Sequence, residues 1–247
     1  MTIVAVVSCC GAPGVTTLSC LLGATWPSEP VAVIEGDPSG GVLAARFHLS
    51  IRTGWASATA AARRDPDRWC LDDHLQELPG GLPVLLAPPG PTSEQGSVVD
   101  LVCSASVGTD LIIDLGRLSA TDDVARQWLS CAEVIVVLSD GEGAALLALK
   151  AWWPRLTSWA PLLLAVRGPG LHGDREIEET IGARVAAWIP SDPGVAAVLT
   201  GGSGPGQRKL AKSALVAAAA RLSAELTAGT TSVDRDQPSL SVVEDVA

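Results

Sequence analysis

A run of small residues near the start of the chain has the residue types and spacing that bind phosphate. It reads Ser-Cys-Cys-Gly-Ala-Pro-Gly-Val-Thr-Thr over residues 8–17, between an apolar segment at 3–7 and a leucine-rich segment at 18–24. A loop between a strand and a helix binds anions because its backbone N–H groups and the helix N-terminus point at one place. The residues that we predict to contact phosphate are Gly11, Ala12, Pro13, Gly14, Val15, Thr16 and Thr17.

The general phosphate-loop pattern, G-x-x-x-x-G-K-[ST], is incomplete in this run. Cys9 stands at the first glycine position, Gly14 at the second, Val15 at the lysine position and Thr16 at the hydroxyl position. Valine has no charge to place against the β- and γ-phosphates, so we expect weaker phosphate binding and weaker catalysis of phosphoryl transfer. The alternative is an ordinary turn between strand and helix, in which the two threonines only cap the helix.

Two further segments end predicted strands with carboxylates. Glu35 and Asp37 close the strand at 31–35 and precede Gly40 and Gly41, while Asp114 closes the strand at 110–114. In an open parallel sheet the loops that follow such strands lie at the carboxyl edge, where ligands bind. We therefore expect both aspartates beside the phosphate loop, with simple turn carboxylates as the alternative.

Short β-branched runs alternate with alanine- and leucine-rich stretches, a pattern typical of strand–helix units around a parallel sheet. Strands are predicted at 3–7, 31–35, 83–87, 110–114, 133–138, 161–166 and 185–189. Helices are predicted at 14–25, 40–48, 67–77, 93–105, 120–130, 142–158, 192–199 and 207–227. The expected fold is α/β and P-loop NTPase-like: a mostly parallel sheet of seven or eight strands with helices on both faces.

Composition sets the expected domain organisation and location. A length of 247 residues with 47% apolar residues suits one α/β domain, predicted at 1–228. Residues 229–247 turn to Thr, Ser, Asp, Pro and Glu, which favours a flexible acidic tail. No apolar run approaches the roughly 18 residues that cross a bilayer, so we expect no membrane insertion and a cytoplasmic protein. Its six cysteines show no C-x-x-C spacing and are expected to be reduced.

The charge balance argues against one class of partner. The formal net charge is −10, and the chain has 17 lysines and arginines against 27 aspartates and glutamates. Proteins that bind DNA without sequence preference need clustered positive charge to neutralise phosphates. The composition therefore argues against non-specific DNA binding.

The order of these motifs resembles that of the MinD/ParA family of deviant-Walker P-loop ATPases, over about residues 2–227. The family's loop reads G-K-G-G-x-G-K-T-T, in which one lysine reaches across a dimer and a second binds the phosphates. By position these lysines are Cys10 and Val15 in this chain, so both are replaced. The resemblance implies that Thr16 and Asp114 would hold magnesium and that Asp37 would position the attacking water.

The resemblance also implies ATP or ADP, with magnesium, as the ligand. The loop containing Pro190 and Asp192 would lie beside the adenine. The family's base-reading asparagine after the sixth strand is missing, because Ala165, Val166, Arg167 and Gly168 stand there. Since Cys10 cannot make the contact of the signature lysine, any homodimer is expected to form without ATP.

Three functions follow from the resemblance. The first is a pseudo-ATPase that positions or recruits protein partners of a larger assembly, as CpaE/TadZ-like proteins do in Tad-type pili and secretion and as septum-site regulators do in division. The second is a slow magnesium-dependent ATPase in which Arg46, Arg117 or Arg167 replaces the lysines. The third is a partitioning ATPase for chromosomes or plasmids. The acidic tail does not match the basic membrane-binding helix of MinD.

Two groups of side chains have alternative interpretations. Cys9 and Cys10 precede a helix N-terminus that would stabilise a thiolate, but they are also small enough to be simple loop residues. No histidine is near them in sequence. Trp152, Trp153 and Trp159 belong to one predicted helix and are expected in the core, with a protein interface as the alternative.

Overall fold

The chain was studied as a computed structural model. The structure describes residues 1–11, 13–91, 94–106, 108–119, 122–168, 170–204 and 206–233. Ala12 of the predicted phosphate loop and residues 234–247 of the predicted tail lie outside the described residues.

One eight-stranded sheet forms the centre of the molecule. Its strands are β1 (Ile3–Ser8), β2 (Val31–Glu35), β3 (Gln76–Glu77), β4 (Pro83–Leu85), β5 (Asp110–Arg117), β6 (Val134–Asp140), β7 (Leu162–Gly168) and β8 (Val185–Pro190). The spatial order is β3-β4-β2-β5-β1-β6-β7-β8. Every neighbouring pair is parallel except β3 and β4. The predicted mostly parallel α/β sheet is confirmed.

Helices cover both faces of this sheet. They are α1 (Val15–Ala24), α2 (Leu43–Phe47), α3 (Trp55–Arg64), α4 (Val99–Ala105), α5 (Asp123–Cys131), α6 (Gly143–Leu156), α7 (Asp174–Ile181), α8 (Pro193–Leu199), α9 (Gln207–Leu210) and α10 (Ala214–Val233). Buried residues of α3 to α7 form a core with one face, and those of α1, α2, α8 and α10 form a core with the other. Within the described residues, no helix is both long and apolar enough to cross a membrane.

The strand order places a crevice at the carboxyl end of β1. β1 is buried along its whole length and pairs with β5 on one side and β6 on the other. Strands β2 to β5 therefore lie on one side of β1, and the chain then crosses to place β6 to β8 on the other side. Ligands bind at such switch points in open parallel sheets. The predicted phosphate loop follows β1 at this point.

The helix predicted at 67–77 is wrong. The segment forms two short 3₁₀ turns, Pro66–Arg68 and Leu71–His74, followed by the edge strand β3. Two side-chain contacts hold it against α3: Trp69 Nε1 donates to the carbonyl of Ala58 at 3.1 Å, and His74 Nδ1 lies 3.0 Å from Ser57 Oγ. These tertiary contacts override the local helical pattern.

Other differences concern helices that were missed or have different ends. α3 and α7 were not predicted, although α7 shows the signals of a helix in its acidic first turn and in the buried pair Ile177 and Ile181. α2 begins only at Leu43, whereas the prediction began at 40. α10 continues to Val233, beyond the predicted start of the tail at 229. The boundary at 228 stays a prediction.

The tryptophans divide between the core and the surface. Trp128 of α5 has no exposed surface and packs edge-on against Trp55, with 5.9 Å between ring centroids. Trp152 and Trp153 are half-buried against the same core, whereas Trp159 is 37% exposed. The expected core packing therefore holds for Trp152 and Trp153 and less well for Trp159.

Replacing Trp128 with alanine should lower the free energy of unfolding by about 3–5 kcal/mol, because it leaves a cavity in a closely packed core. The matched control Trp159→Ala should cost about 1 kcal/mol or less, since this side chain is partly in solvent. Urea denaturation followed by circular dichroism measures both. Equal losses in the two variants would contradict the burial described for Trp128.

Candidate nucleotide-binding site

The loop after β1 has the backbone shape of an anion site. Gly11 and Gly14 have φ angles of +65° and +105°, which side chains with a Cβ rarely adopt. The hydroxyl of Ser8 donates to the carbonyl of Gly11 at 3.1 Å, and Gly14 caps the N-terminus of α1. The first-turn N–H groups of a helix have no partner within the helix, so they are available to an anion at this end of α1.

The two positions that carry lysine in the resembling family carry no charge here. Val15 is 3% exposed and packs in the core beneath the loop, so it offers a ligand only its backbone N–H. Cys10 is exposed, and its side chain is a thiol. The loop therefore has the backbone shape of an anion site, but neither of these two positions carries a cation.

Cys9 does not fit a reactive role. The pKa of its thiol is raised to about 12, mainly by burial and also by the neighbouring Cys10. A thiol with such a pKa stays protonated at neutral pH, and the protonated form is a poor nucleophile. The interpretation of Cys9 as a loop residue is therefore favoured over cysteine chemistry.

The two predicted magnesium ligands lie together. The Thr16 side chain is hydrogen-bonded to the Asp114 carboxylate, which also accepts the N–H of Gly116 at 3.2 Å. Thr16 is therefore not a simple helix cap. The pKa of Asp114 is raised to about 7, mainly by burial and also by the charges of Glu35 and Asp37, against the opposing effect of the two hydrogen bonds.

This arrangement fits a cation that brings ligands of its own. Among the described residues, no group of three or more His, Cys, Asp or Glu side chains could hold a metal ion. Magnesium is bound in proteins by one or two carboxylates together with water and substrate phosphates. Thr16 and Asp114 would hold it beside a bound phosphate, where its charge would stabilise the ionised form of Asp114.

Asp37 lies directly over the end of β5. A Cβ on Gly116 would come within 1.9 Å of Asp37 Oδ2, and Gly116 has a φ of +58°. Asp37 Oδ1 accepts the N–H of Ser39 at 2.8 Å. Burial raises the pKa of Asp37 and Asp122 adds to the rise, whereas Ser39 and Arg117 oppose it. The structure thus brings Asp37, Asp114 and Thr16 to one edge of the sheet, as the sequence predicts.

Sequence reasoning did not identify the role of Glu35. Its Oε1 accepts the N–H groups of Val42 and Leu43 at 2.7 and 2.9 Å, and its Oε2 accepts that of Ala87 at 2.9 Å. Burial raises the pKa of Glu35 although these bonds and Arg46 oppose the rise. Glu35 joins the end of β2 to the start of α2 and to the loop after β4, and only its place after a buried strand could have indicated this.

A cleft of about 120 Å³ lies beside the phosphate loop. Pro13, Gly14 and Thr17 line one end, and Arg167 with the segment 190–192 lines the other. Ligand cavities typically measure about 300–1,000 Å³. The cleft is smaller than this range, so it has room for part of a nucleotide, with the rest on the open loop.

Asp192 lies in the cleft wall, but its carboxylate is already engaged. Its Oδ1 accepts the N–H groups of Gly194 and Val195 at 3.0 and 3.1 Å, and its Oδ2 accepts the Ser213 hydroxyl at 2.6 Å. These bonds, that of Ser213 first, lower the pKa of Asp192. Asp192 therefore fixes the cleft wall to α8 and α10, and Pro190 ends β8 next to it.

The three arginines that could replace the lysines lie in different places. Arg167 lines the cleft, and the exposed Arg117 follows the end of β5 near Asp37. Arg46 lies toward Glu35 and Cys20 on the α1 side, and its Nη1 is buried without a hydrogen-bond partner among the described residues. Only Arg167 of these three is part of the cleft wall.

Comparison by sequence finds no counterpart: no family model matches the chain, and no curated protein matches it at a significant level. Comparison of structures finds several similar proteins. A ParA family ATPase from Chlorobium tepidum matches with a TM-score of 0.72 at 18% identity, covering 90% of this chain and 97% of that one.

Two MinD structures match in the same way. The septum site-determining protein MinD of Pyrococcus horikoshii, complexed with Mg-ADP, has a TM-score of 0.71 at 16% identity and covers 93% of this chain and 98% of that one. The MinC:MinD cell division complex of Aquifex aeolicus has a TM-score of 0.71 at 15% identity, covering 92% and 96%. The resemblance seen in the sequence is confirmed as a likeness of fold: this chain has the fold of the MinD and ParA ATPases.

Replacing Glu35 with alanine should lower the free energy of unfolding by at least about 2 kcal/mol, because the buried N–H groups of Leu43 and Ala87 lose their acceptor at about 1–3 kcal/mol each, and the part-buried N–H of Val42 loses it too. Glu35→Gln is the matched control, since its remaining carbonyl oxygen can still accept two of the three bonds. Urea denaturation compares the two variants. An alanine variant as stable as the glutamine variant would show that the hydrogen bonds of Glu35 do not hold the loops.

Replacing Asp114 with asparagine should change how stability depends on pH. Because the pKa of Asp114 rises from 3.8 to about 7 on folding, its contribution is full below pH 4 and is lost as the pH rises through 7. Asp114→Asn should therefore gain in melting temperature relative to the parent protein between pH 4 and pH 8, by about 2–4 °C per kcal/mol. Thermal unfolding without magnesium measures this, with the exposed Asp123→Asn as control. A difference that stays constant with pH would contradict the raised pKa.

Proposed function

We propose that this chain is a MinD/ParA-like pseudo-ATPase that positions or recruits the components of a cytoplasmic assembly, with weak or no ATP hydrolysis. The assembly would be a Tad-type pilus or secretion system or the division apparatus. The observation that carries the proposal is the burial of Val15, at 3% exposure, in the place of the phosphate-binding lysine.

The electrostatics of phosphoryl transfer support the proposal. The enzyme must stabilise charge on the transferring phosphoryl group, and a single well-placed arginine accelerates this reaction by about 10³–10⁵. Residues 8–17 contain no lysine or arginine. Peptide dipoles and magnesium alone leave the terminal phosphate without the cationic side chains that the reaction requires.

The same site keeps what is needed to hold a nucleotide. The loop amides at the start of α1 attract phosphate, Thr16 and Asp114 provide oxygen ligands, and the cleft accepts a base. The Pyrococcus horikoshii MinD structure contains Mg-ADP. Nucleotide would therefore act as a bound ligand that orders the loop, and any homodimer of this chain would form without ATP because Cys10 replaces the lysine that crosses the dimer.

The partner role rests on the fold and on what the fold does in a solved complex. The Aquifex aeolicus structure is a complex of MinC with MinD, so this fold serves as a platform for a second protein there. A protein with the same fold and an uncharged loop retains a surface for partners without the turnover. The third function considered, a DNA-partitioning ATPase, fits poorly with a net charge of −10.

The second candidate function is a slow magnesium-dependent ATPase. It is favoured by the position of Arg117, whose charge lowers the pKa of Asp37 and therefore lies near the residue that would orient water. In that case Arg117 would take part of the role of the missing lysines.

The proposed function predicts no ATP turnover above the rate without protein, with or without magnesium, and no effect of Asp37→Ala. Phosphate release from the purified chain measures turnover, and Asp123→Ala, which changes an exposed carboxylate, is the control. Magnesium-dependent turnover that Asp37→Ala abolishes would overturn the pseudo-ATPase proposal in favour of the slow enzyme.

A further inference from the structure

We propose that the base end of the cleft selects guanine over adenine, so that the ligand of this site is a guanine nucleotide. This inference rests on the proposed nucleotide-holding role of the loop. It is carried by a pair of charged side chains at the ends of adjacent strands: Arg167, which lines the cleft, and Asp140, which is hydrogen-bonded to it.

Asp140 and Arg167 face each other in register at the ends of β6 and β7. Arg167 Nε donates to Asp140 Oδ1 at 2.5 Å. Within the described part of the chain, the two Nη nitrogens of Arg167 and Oδ2 of Asp140 have no hydrogen-bond partner. The pair therefore presents free donors next to a free acceptor, with side-chain exposures of 47% and 29%.

Arg167 lines the cleft, and Asp140 lies beside it on the neighbouring strand. β7 is separated from β1 by β6, which places Arg167 about 10 Å along the sheet from the strand that leads into the phosphate loop. This separation suits contact with a base whose phosphates lie on the loop. Arg167 shares that end with the segment 190–192.

The other groups at this end do not distinguish one purine from another. The cleft wall is otherwise mainly apolar, with Leu138, Ile189 and Leu215 able to pack against the face of any base. The carboxylate of Asp192 is committed to Gly194, Val195 and Ser213. The hydroxyl of Ser191 can donate or accept, so it suits either purine.

The pattern of donors and acceptors matches guanine. Guanine presents the O6 acceptor beside the N1–H and N2–H₂ donors, so O6 faces the arginine N–H groups while the donors face the carboxylate. Adenine presents the N6–H₂ donor beside the N1 acceptor, which places donor against donor and acceptor against acceptor. Because one well-formed pair of this kind discriminates by tenfold or more, we expect GDP to bind about tenfold more tightly than ADP.

Calorimetric titration of the full chain with GDP and with ADP, each with magnesium, tests the inference. Arg167→Gln should reduce the preference for GDP, because the guanidinium donors to O6 are lost, and should not weaken ADP binding. Arg175→Gln, which changes an exposed arginine on α7, is the matched control and should keep the preference.

A gain of binding separates base recognition from loss of folding. Xanthine carries a carbonyl in place of the guanine N2 amine, so Asp140→Asn should bind XDP more tightly than the parent protein does, because the new amide N–H can donate to that carbonyl. Equal affinity for GDP and ADP would overturn the inference, and so would parallel loss of both in Arg167→Gln, which would assign the arginine to phosphate. Absence of binding by both nucleotides also overturns it, whereas the proposed function is judged separately by turnover.

Discussion

The carboxylate of Asp114 is the charge around which the candidate site is organised. It is buried beneath the phosphate loop at 2% exposure, hydrogen-bonded to Thr16 and close to Glu35 and Asp37. Negative charge held in a region of low dielectric is unfavourable unless a cation or hydrogen-bond donors compensate it. The pKa of Asp114 is raised because burial disfavours the ionised carboxylate, and a bound cation would stabilise that ionised form. The neighbouring loop supplies the place for the phosphates that would accompany such a cation.

The loop at residues 8–17 combines the backbone shape of a phosphate loop with the absence of any lysine or arginine. The shape depends on the two glycines with positive φ and on the buried strand β1, and these are independent of the residue at the lysine position. A valine there improves core packing on the α1 side of the sheet, since Val15 joins the apolar cluster under the loop. The chain therefore has the fold of the MinD and ParA ATPases with no lysine or arginine in residues 8–17, and the proposed lack of hydrolysis follows from that missing charge. Recognition then depends more on the base end of the cleft, where Arg167 and Asp140 carry the polar groups.

Much of the fold could be predicted from local signals. The apolar runs that form β1, β5 and β6 are continuous because both faces of a parallel sheet are covered by helices. The small residues after β1 and the aspartates after β2 and at the fifth residue of β5 were correctly expected at one edge. The segment 67–77 was not predictable in this way. Its turns are held by contacts of Trp69 and His74 with residues of α3 that precede them by 11 and 17 positions, beyond the range of a local pattern.

The sequence by itself determined the alternation of strands and helices and the absence of lysine from the loop, since both depend on residue type and spacing along the chain. Only the tertiary structure decided which side chains carry the site. It turned Val15 into the core, joined Asp192 to Ser213 and Glu35 to Ala87 by hydrogen bonds, and set Arg167 beside Asp140. These outcomes depend on strand order and register, which bring together residues far apart in sequence and which no local pattern encodes.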